Sequence, residues 1–201
     1  MNYLERLNIH PDIQSFFRPY LSIQNETLLF PYENEYEHAG PQLHRVPITE
    51  SHWQAGTAQI AGDLIISHSA LDTIAWLHQN RHRYLNFDSL YFLAIGAAPT
   101  ITHAEIIKQY TPAKKLHFLF NNDPSGALCD LRLAAHVRNQ PLNIRFDNHQ
   151  YQIQFRNKHY QLAYLSLSAL EKVSQYSFRI RTHKSKNNTN YHEQLRRRNQ
   201  T

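Results

Sequence analysis

Two polar turns contain the residues of this sequence that are best suited to chemistry, because each turn directly follows a short apolar run. The first turn is Ser67 to Ser69 and the second is Asn121 to Gly126. An imidazole can transfer protons near neutral pH, and a carboxylate can hold a hard cation such as Mg²⁺. His68 and Asp123 are therefore the first candidates for a catalytic or metal-binding site.

The elements around these turns follow an α/β pattern. From Ile60 onward, short apolar runs alternate with segments of helical periodicity, which is typical of βαβ units. The predicted strands are Leu64 to Ile66, Leu90 to Ile95, Leu116 to Phe120 and Asn143 to Phe146. The predicted helices are Ala70 to Gln79, His103 to Tyr110 (capped by Thr102 and stopped by Pro112), and a long segment after the second turn to about Val137.

This order predicts a small, doubly wound, mostly parallel sheet with its ligand site at the carboxyl ends of the strands, where both turns lie. Before it, a hairpin is predicted from Thr27 to Pro31 and Leu43 to Val46. An α+β extension is predicted after it, with a hairpin (Tyr151 to Phe155, Tyr160 to Leu165), a helix (Ser168 to Tyr176) and a strand (Phe178 to Thr182). The predicted organisation is 1–58, 59–149, 150–182 and a basic polar tail, 183–201.

The composition suits one compact domain with appendages, since 201 residues with 41 % hydrophobic side chains can bury a sizeable core. Cys129 is the single cysteine and cannot form an intramolecular disulfide. Glu5 and Arg6 precede any apolar run, unlike in a secretory signal. No stretch approaches the roughly 20 apolar residues of a membrane helix. We therefore expect a cytoplasmic protein without membrane contact.

Both turns and the runs around them resemble the Toprim domain of primases, topoisomerases and related nucleases, and more narrowly the Toprim proteins of plasmids and mobile elements. This similarity lies in Leu64 to Ala75 (LIISHSALDTIA), Leu93 to Gly96 (LAIG) and Leu116 to Gly126 (LHFLFNNDPSG). Further segments resemble parts of primase-like proteins: Tyr3 to Ile9, the FP-x-x-N run Phe30 to Asn34, and Asn190 to Leu195, which is similar to a closing acidic motif.

The resemblance implies a Mg²⁺ site of several carboxylates that acts in phosphoryl transfer. In this sequence the family glutamate falls on His68, the first aspartate of an Asp-x-Asp pair on Asn121, and the closing aspartate on Asn190. Only the second aspartate of the pair remains, as Asp123. An amide is a weak Mg²⁺ ligand and an imidazole a poor one, so we expect weak metal binding and lost catalysis. No cofactor is expected, or Mg²⁺ if the site is active.

The motif residues also have structural interpretations. Asp123 can cap the following helix, and Gly126 can allow two backbone segments to approach closely. Gly96 ends the second apolar run. Asp72 matches a family aspartate that is better placed to cap or orient its helix than to bind metal. A transition-metal site of His68, Asp123 and a further histidine is another interpretation, although no Cys-x-x-Cys spacing supports it.

Positive charge is concentrated at the end of the chain. Residues 178–201 contain seven Lys and Arg against one acid, a charge of +6, so the other 177 residues carry −1 of the total of +5. A basic end attracts phosphate backbones, and it can equally be a solvated, solubilising segment. The candidate nucleic-acid contacts are Arg156, Lys158, Arg179, Arg181, Lys184 and Lys186. The aromatic residues that accompany them, Tyr151, Phe155, Tyr160 and Phe178, suit stacking on bases or packing in a core.

We predict a catalytically degenerate Toprim-like protein that serves as a nucleic-acid- or protein-binding accessory module related to DNA primases. DNA or RNA is the expected partner of the basic carboxyl-terminal region, and a replication or mobilisation complex is the expected setting. The alternative is an active metal-dependent nuclease or primer-synthesis enzyme, in which Asp72, Asp130 or Glu193 assists Asp123. A third hypothesis is an assembly subunit without a ligand.

Overall fold

The computed structural model describes residues 2–186 and 188–198. The helices are α1 (Tyr3–Arg6), α2 (Pro11–Phe17), α3 (Ala70–Asn80), α4 (Ile101–Lys108), α5 (Pro124–Val137), α6 (Leu167–Ser174) and α7 (Tyr191–Arg198). The strands are β1 (Ser22–Gln24), β2 (Thr27–Tyr32), β3 (Glu35–Ala39), β4 (His44–Arg45), β5 (Trp53–Ala55), β6 (Asp63–Ser67), β7 (Leu90–Ala94), β8 (Lys115–Leu119), β9 (Leu142–Asp147), β10 (Gln150–Phe155), β11 (Lys158–Leu162) and β12 (Ile180–Thr182).

A mixed five-stranded sheet forms the centre of this α/β fold. Its strand order is β12-β8-β6-β7-β5, and only β5 at one edge runs antiparallel to its neighbour. In register, Ile65 of β6 lies opposite Phe92 of β7 and His117 of β8. The first three predicted strands are confirmed, because continuous apolar runs suit strands that are buried on both faces.

The prediction for the fourth parallel strand was wrong. The segment predicted to fill that place, now β9, pairs with β10 in a separate antiparallel sheet of order β11-β10-β9. The parallel strand beside β8 is β12 instead. Asn148 and His149 both have positive φ, the conformation of a two-residue hairpin turn, and this turn directs β9 to its neighbour in sequence.

The amino-terminal hairpin also differs from its prediction. Strand β2 pairs with β3, whereas the segment predicted as its partner contributes only the short β4 at the far side of β3, in the order β1-β2-β3-β4. Helix α4 begins at Ile101, so Thr100 and not Thr102 is its N-cap, and the Thr100 N–H donates to Nδ1 of His103 at 3.0 Å. The predicted helices that became α3, α5 and α6 are confirmed within two residues at each end.

Buried side chains lie on both sides of the five-stranded sheet. Ile65 packs in one core with side chains of α1, α2, α3 and β2, whereas Leu64 and Ile66 pack in the other with α4, α5, α6 and β10. Neighbouring residues of a strand point to opposite faces, so β6 contributes to both cores. The central strands are thereby held rigidly, and their carboxyl ends can position polar residues.

Residues 191–198 of the basic carboxyl-terminal segment form a helix that packs on the rest of the protein, which differs from the interpretation of this segment as a solvated end. Helix α7 packs along α3, and its Tyr191 and Leu195 are only 8 % and 3 % exposed. Gln79 of α3 donates to the Tyr191 carbonyl at 3.2 Å and accepts from the Gln194 amide at 2.6 Å. Among the described residues, no helix combines the length and apolar character that crossing a membrane requires.

Candidate functional site

The two polar turns meet at the carboxyl edge of the central sheet. Ser67, the last residue of β6, lies opposite Leu119, the last residue of β8. The turns that follow are therefore adjacent, and Asp123 and Lys184 both act electrostatically on His68. The structure thus brings His68 and Asp123 to the same edge of the sheet, and Lys184 lies near both turns.

His68 is a packed residue and not an acid or base for neutral pH. Burial, reinforced by the nearby charge of Lys184, lowers the pKa of His68 to about 4. Its ring meets Phe120 edge to face at 4.6 Å between centroids. Within the described residues, its buried Nε2 has no hydrogen-bond partner. The burial and low pKa of His68 therefore argue against proton transfer by this imidazole near neutral pH.

Asp123 makes the structural contact that its position before a helix predicts. Its Oδ1 accepts a hydrogen bond from the Gly126 N–H at 2.7 Å, and the residue is the N-cap of α5. A Cβ on Gly126 would lie 2.1 Å from the carbonyl oxygen of Asn121, so no side chain fits there. The glycine allows the turn to fold tightly against the end of β8.

The ammonium of Lys184 lies among oxygens at the end of β8. Nζ is 2.6 Å from Oδ2 of Asp130, 3.0 Å from the Phe120 carbonyl and 2.9 Å from the Asn121 carbonyl. Lys184 was predicted to contact nucleic acid, but its charge is directed inward. Burial raises the pKa of Asp130 to about 6, and the charge of Lys184 opposes this shift.

A cavity of about 600 Å³ adjoins this lysine, between the end of the central sheet and the segment that precedes α6. Asp123, Asp130 and Lys184 are the charged residues that line it. The rest of the lining includes Tyr151 and Ser166. Across residues 2–186 and 188–198, no group of three or more His, Cys, Asp or Glu side chains is arranged to hold a metal ion.

The remaining motif residues, which do not line this cavity, make structural contacts. The Asn190 side chain accepts from the Glu193 N–H at 2.9 Å, which caps α7. Oδ1 of Asp72 accepts from the His192 N–H, also at 2.9 Å, and burial raises the pKa of Asp72 to about 6. Gly96 has φ +77°, and a Cβ there would lie 2.8 Å from the Pro47 carbonyl.

Sequence reasoning missed Glu37, a fully buried carboxylate in β3. It accepts hydrogen bonds from Tyr32 Oη, His44 Nε2, Ser69 Oγ and the backbone N–H groups of Ala70 and Leu71. Burial alone would raise the pKa of Glu37, but the hydrogen bond and charge of His44 hold it below its usual value. Glu37 lies two residues before the buried Ala39 and so shares its face of β3, and this spacing is the local pattern that indicates its inward position.

A second buried polar group, also missed, links β6, β8 and the segment after β12. His117 Nε2 lies 2.8 Å from Oδ1 of Asp63, and its Nδ1 lies 2.9 Å from Nε2 of His183. Burial, together with the neighbouring His117, Arg83 and Arg181, lowers the pKa of His183 to about 4. Burial also lowers the pKa of His117, and the group joins two strands and the segment after β12 through hydrogen bonds.

The predicted nucleic-acid contacts do not form a single surface. Arg156 lies over the ring of Tyr176, with its Cζ 4.9 Å from the ring centroid. Arg138, which the sequence analysis did not single out, donates to the Phe178 carbonyl at 2.7 Å and to the Arg179 carbonyl at 3.4 Å. We call Arg138, Arg156, Arg179 and Tyr176 the arginine–tyrosine cluster.

The other predicted contacts lie outside this cluster or are unconnected to it. Arg181 and Arg83 both lie near His183, because the charges of both arginines lower the pKa of its imidazole. Lys158 and Lys186 are exposed on the surface. Of the six predicted residues, Arg156 covers the Tyr176 ring, and Arg179 is linked to the cluster through its backbone carbonyl, which accepts from Arg138.

The fold and site define a mixed α/β protein with a polar cavity at the carboxyl edge of its central sheet. No protein-family model matches the chain, and no curated protein or solved structure shows significant similarity to it.

Proposed function

We propose that this chain is a catalytically degenerate Toprim-like module that binds single-stranded nucleic acid, as an accessory component of a primase-related or mobilisation complex. The observation that carries the binding function is the arginine–tyrosine cluster. Guanidinium groups contact phosphates, and aromatic rings and arginine planes are groups on which bases stack.

The arrangement of the central sheet supports the Toprim-like part of the proposal. Four parallel strands in the order β12-β8-β6-β7 are followed by polar turns at their carboxyl ends, and cores lie on both faces. The sequence resemblance implies a doubly wound sheet, and these features are consistent with one. The turn after β8 also keeps the Asp and Gly of the motif in capping contact.

The contacts of the acidic residues support the loss of catalysis. Asp130 pairs with Lys184, Asp72 accepts from the α7 backbone, and Asp123 caps α5. Mg²⁺ in a phosphoryl-transfer site needs several carboxylates that converge on one point. The residues present do not fit that ion, because a lysine ammonium occupies the oxygens at the end of β8.

Two arginines of the proposed binding surface lie at exposed positions with left-handed backbone conformation. Arg156 and Arg179 have φ of 50° and 55°, in the left-handed region that non-glycine residues enter at a cost of about 1 kcal/mol. Both side chains are exposed. Arg156 takes this conformation with Asn157 in the two-residue turn that joins β10 to β11, and the turn presents its side chain to solvent.

The test is fluorescence anisotropy with labelled 16-nucleotide DNA and RNA and with duplex DNA, at about 50 and 200 mM salt. We expect single strands to bind, and the double variant Arg156→Ala/Arg179→Ala to weaken binding about tenfold or more and to reduce the salt slope by roughly 1.4. Arg18→Ala/Arg45→Ala removes two exposed arginines elsewhere and should change affinity little. Absent binding at low salt, or equal effects of the two double variants, overturns the proposal.

A cleavage and primer-synthesis assay with Mg²⁺ and Mn²⁺ on the same strands tests the loss of catalysis. We expect no product from the wild-type chain. A product that Asp123→Asn abolishes would instead support the metal-dependent enzyme.

A further inference from the structure

The oxygens around Lys184 form a cation site that the chain fills with its own side chain. The acceptors come from two elements, with the Phe120 and Asn121 carbonyls at the end of β8 and the Asp130 carboxylate in α5. All three lie between 2.6 and 3.0 Å from Nζ. An ammonium has three N–H donors, so these contacts use its whole capacity.

One buried carboxylate oxygen of Asp130 accepts no hydrogen bond from the lysine. Oδ1 of Asp130 is buried and, in the described part of the chain, has no hydrogen-bond partner. The Asp130 side chain is only 2 % exposed, so bulk water does not solvate that oxygen. A divalent cation takes six or more oxygen ligands, and a carboxylate can bind it through both oxygens. The unpaired oxygen therefore fits a divalent ion better than it fits a lysine.

We infer that Lys184 is an internal replacement for a divalent cation, and that removing its ammonium exposes a latent oxygen site for an ion of the Mg²⁺ or Mn²⁺ class. The ligands of that site are both oxygens of Asp130 and the carbonyls of Phe120 and Asn121. Nucleic-acid binding plays no part in this inference, so it stands or fails separately from the arginine–tyrosine cluster.

Charge and space around the site support this inference. Without Lys184, the charged residues that line the adjoining cavity are Asp123 and Asp130, and both are acids. The buried Asp130 carboxyl must then either take up a proton or bind a cation, because an uncompensated buried charge is strongly destabilising. The cavity of about 600 Å³ has room for the water molecules that such ions retain.

The experiment compares the wild-type chain with Lys184→Met, measuring the thermal unfolding midpoint with and without about 5 mM Mn²⁺. We expect Lys184→Met to lower the midpoint by about 10 °C, and Mn²⁺ to recover at least half of that loss. The wild-type midpoint should not respond to Mn²⁺. Electron paramagnetic resonance should detect one bound Mn²⁺ in the variant and none in the wild type.

Two further variants complete the comparison. Asp130→Asn/Lys184→Met should recover stability without metal and ignore Mn²⁺, because the buried charge has been removed. Lys186→Met, two residues away and exposed, should behave as the wild type. If Lys184→Met does not fold, Lys184→Gln, whose amide still donates to the carbonyls, takes its place. An unchanged midpoint in the lysine variant, or a lowered midpoint that Mn²⁺ does not raise, overturns the inference.

Discussion

The carboxylate of Glu37 is fully buried, and its Oε1 lies 2.9 Å from Nε2 of His44. The same carboxylate accepts from the first backbone N–H groups of α3, so one side chain joins the amino-terminal sheet to the central domain. A carboxylate at a helix N-terminus also interacts favourably with the helix dipole. The position of the turn before α3 therefore depends on Glu37, a residue that is not part of the Toprim-like motifs.

Replacing Glu37 should destabilise the whole chain. Glu37→Gln keeps the shape but loses the charge and one acceptor oxygen, so we expect the free energy of unfolding to fall by about 3–5 kcal/mol. Urea denaturation at pH 7 measures it. Glu35→Gln, on the same strand and exposed, should change it by less than about 0.5 kcal/mol. Equal stability of the two variants would show that the buried contacts of Glu37 contribute little.

His68 should make the protein less stable in acid. Its folded pKa of about 4 lies below the unfolded value of 6.5, so the unfolded state binds the proton first as pH falls between these values. Stability attributable to His68 is complete above pH 6.5, and about 3 kcal/mol of it is lost by pH 4. Asp72 and Asp130, whose pKa values are raised to about 6, act in the opposite direction in both wild type and variant.

His68→Leu should accordingly flatten this pH dependence. Between pH 7 and pH 4, the variant should lose roughly 2–3 kcal/mol less stability than the wild type, measured by urea denaturation at each pH. His82→Asn, at an exposed histidine, serves as the control and should keep the wild-type profile. A variant profile that matches the wild type would mean that the His68 imidazole is protonated normally in the folded chain.

Gly126 should not tolerate a side chain. The Cβ of Gly126→Ala would overlap the Asn121 backbone at 2.1 Å, so the turn after β8 must move, at a cost of about 3 kcal/mol. The matched control is Gly62→Ala, whose Cβ meets nothing within 4 Å and which should be neutral or stabilising by up to about 1 kcal/mol. Chemical denaturation compares the two, and similar values would contradict the tight turn.

Helix α7 should contribute to stability. Leu195 is 3 % exposed in the core shared with α3, so Leu195→Ala should cost about 2–3 kcal/mol. Arg197→Ala lies on the exposed face of the same helix and should cost less than about 0.5 kcal/mol. Hydrogen exchange of the α7 amides provides a second measurement. A neutral Leu195→Ala would indicate that the basic segment is only loosely attached.

Much of the site depends on contacts that no local pattern encodes. Asp72 receives a hydrogen bond from His192, 120 residues further on, and the carbonyls of Phe120 and Asn121 accept from Lys184, more than 60 residues further on. Basic residues near the end of the chain predicted a nucleic-acid surface, but charge alone does not tell which side chains point inward. Lys184 is an example, since its ammonium contacts oxygens of the same chain.

By itself, the sequence determined the central strands β6, β7 and β8, the helices α3 and α5, and the polar turns between them. Hydrophobic periodicity and capping residues act over a few positions, so they can be recognised without knowing the fold. Tertiary structure alone decided that β12 and not β9 joins the sheet, that α7 packs on α3, and that Lys184 neutralises Asp130. Those outcomes depend on which distant surfaces can be buried together, since a strand or a lysine has the same local signature whichever partner it finally meets.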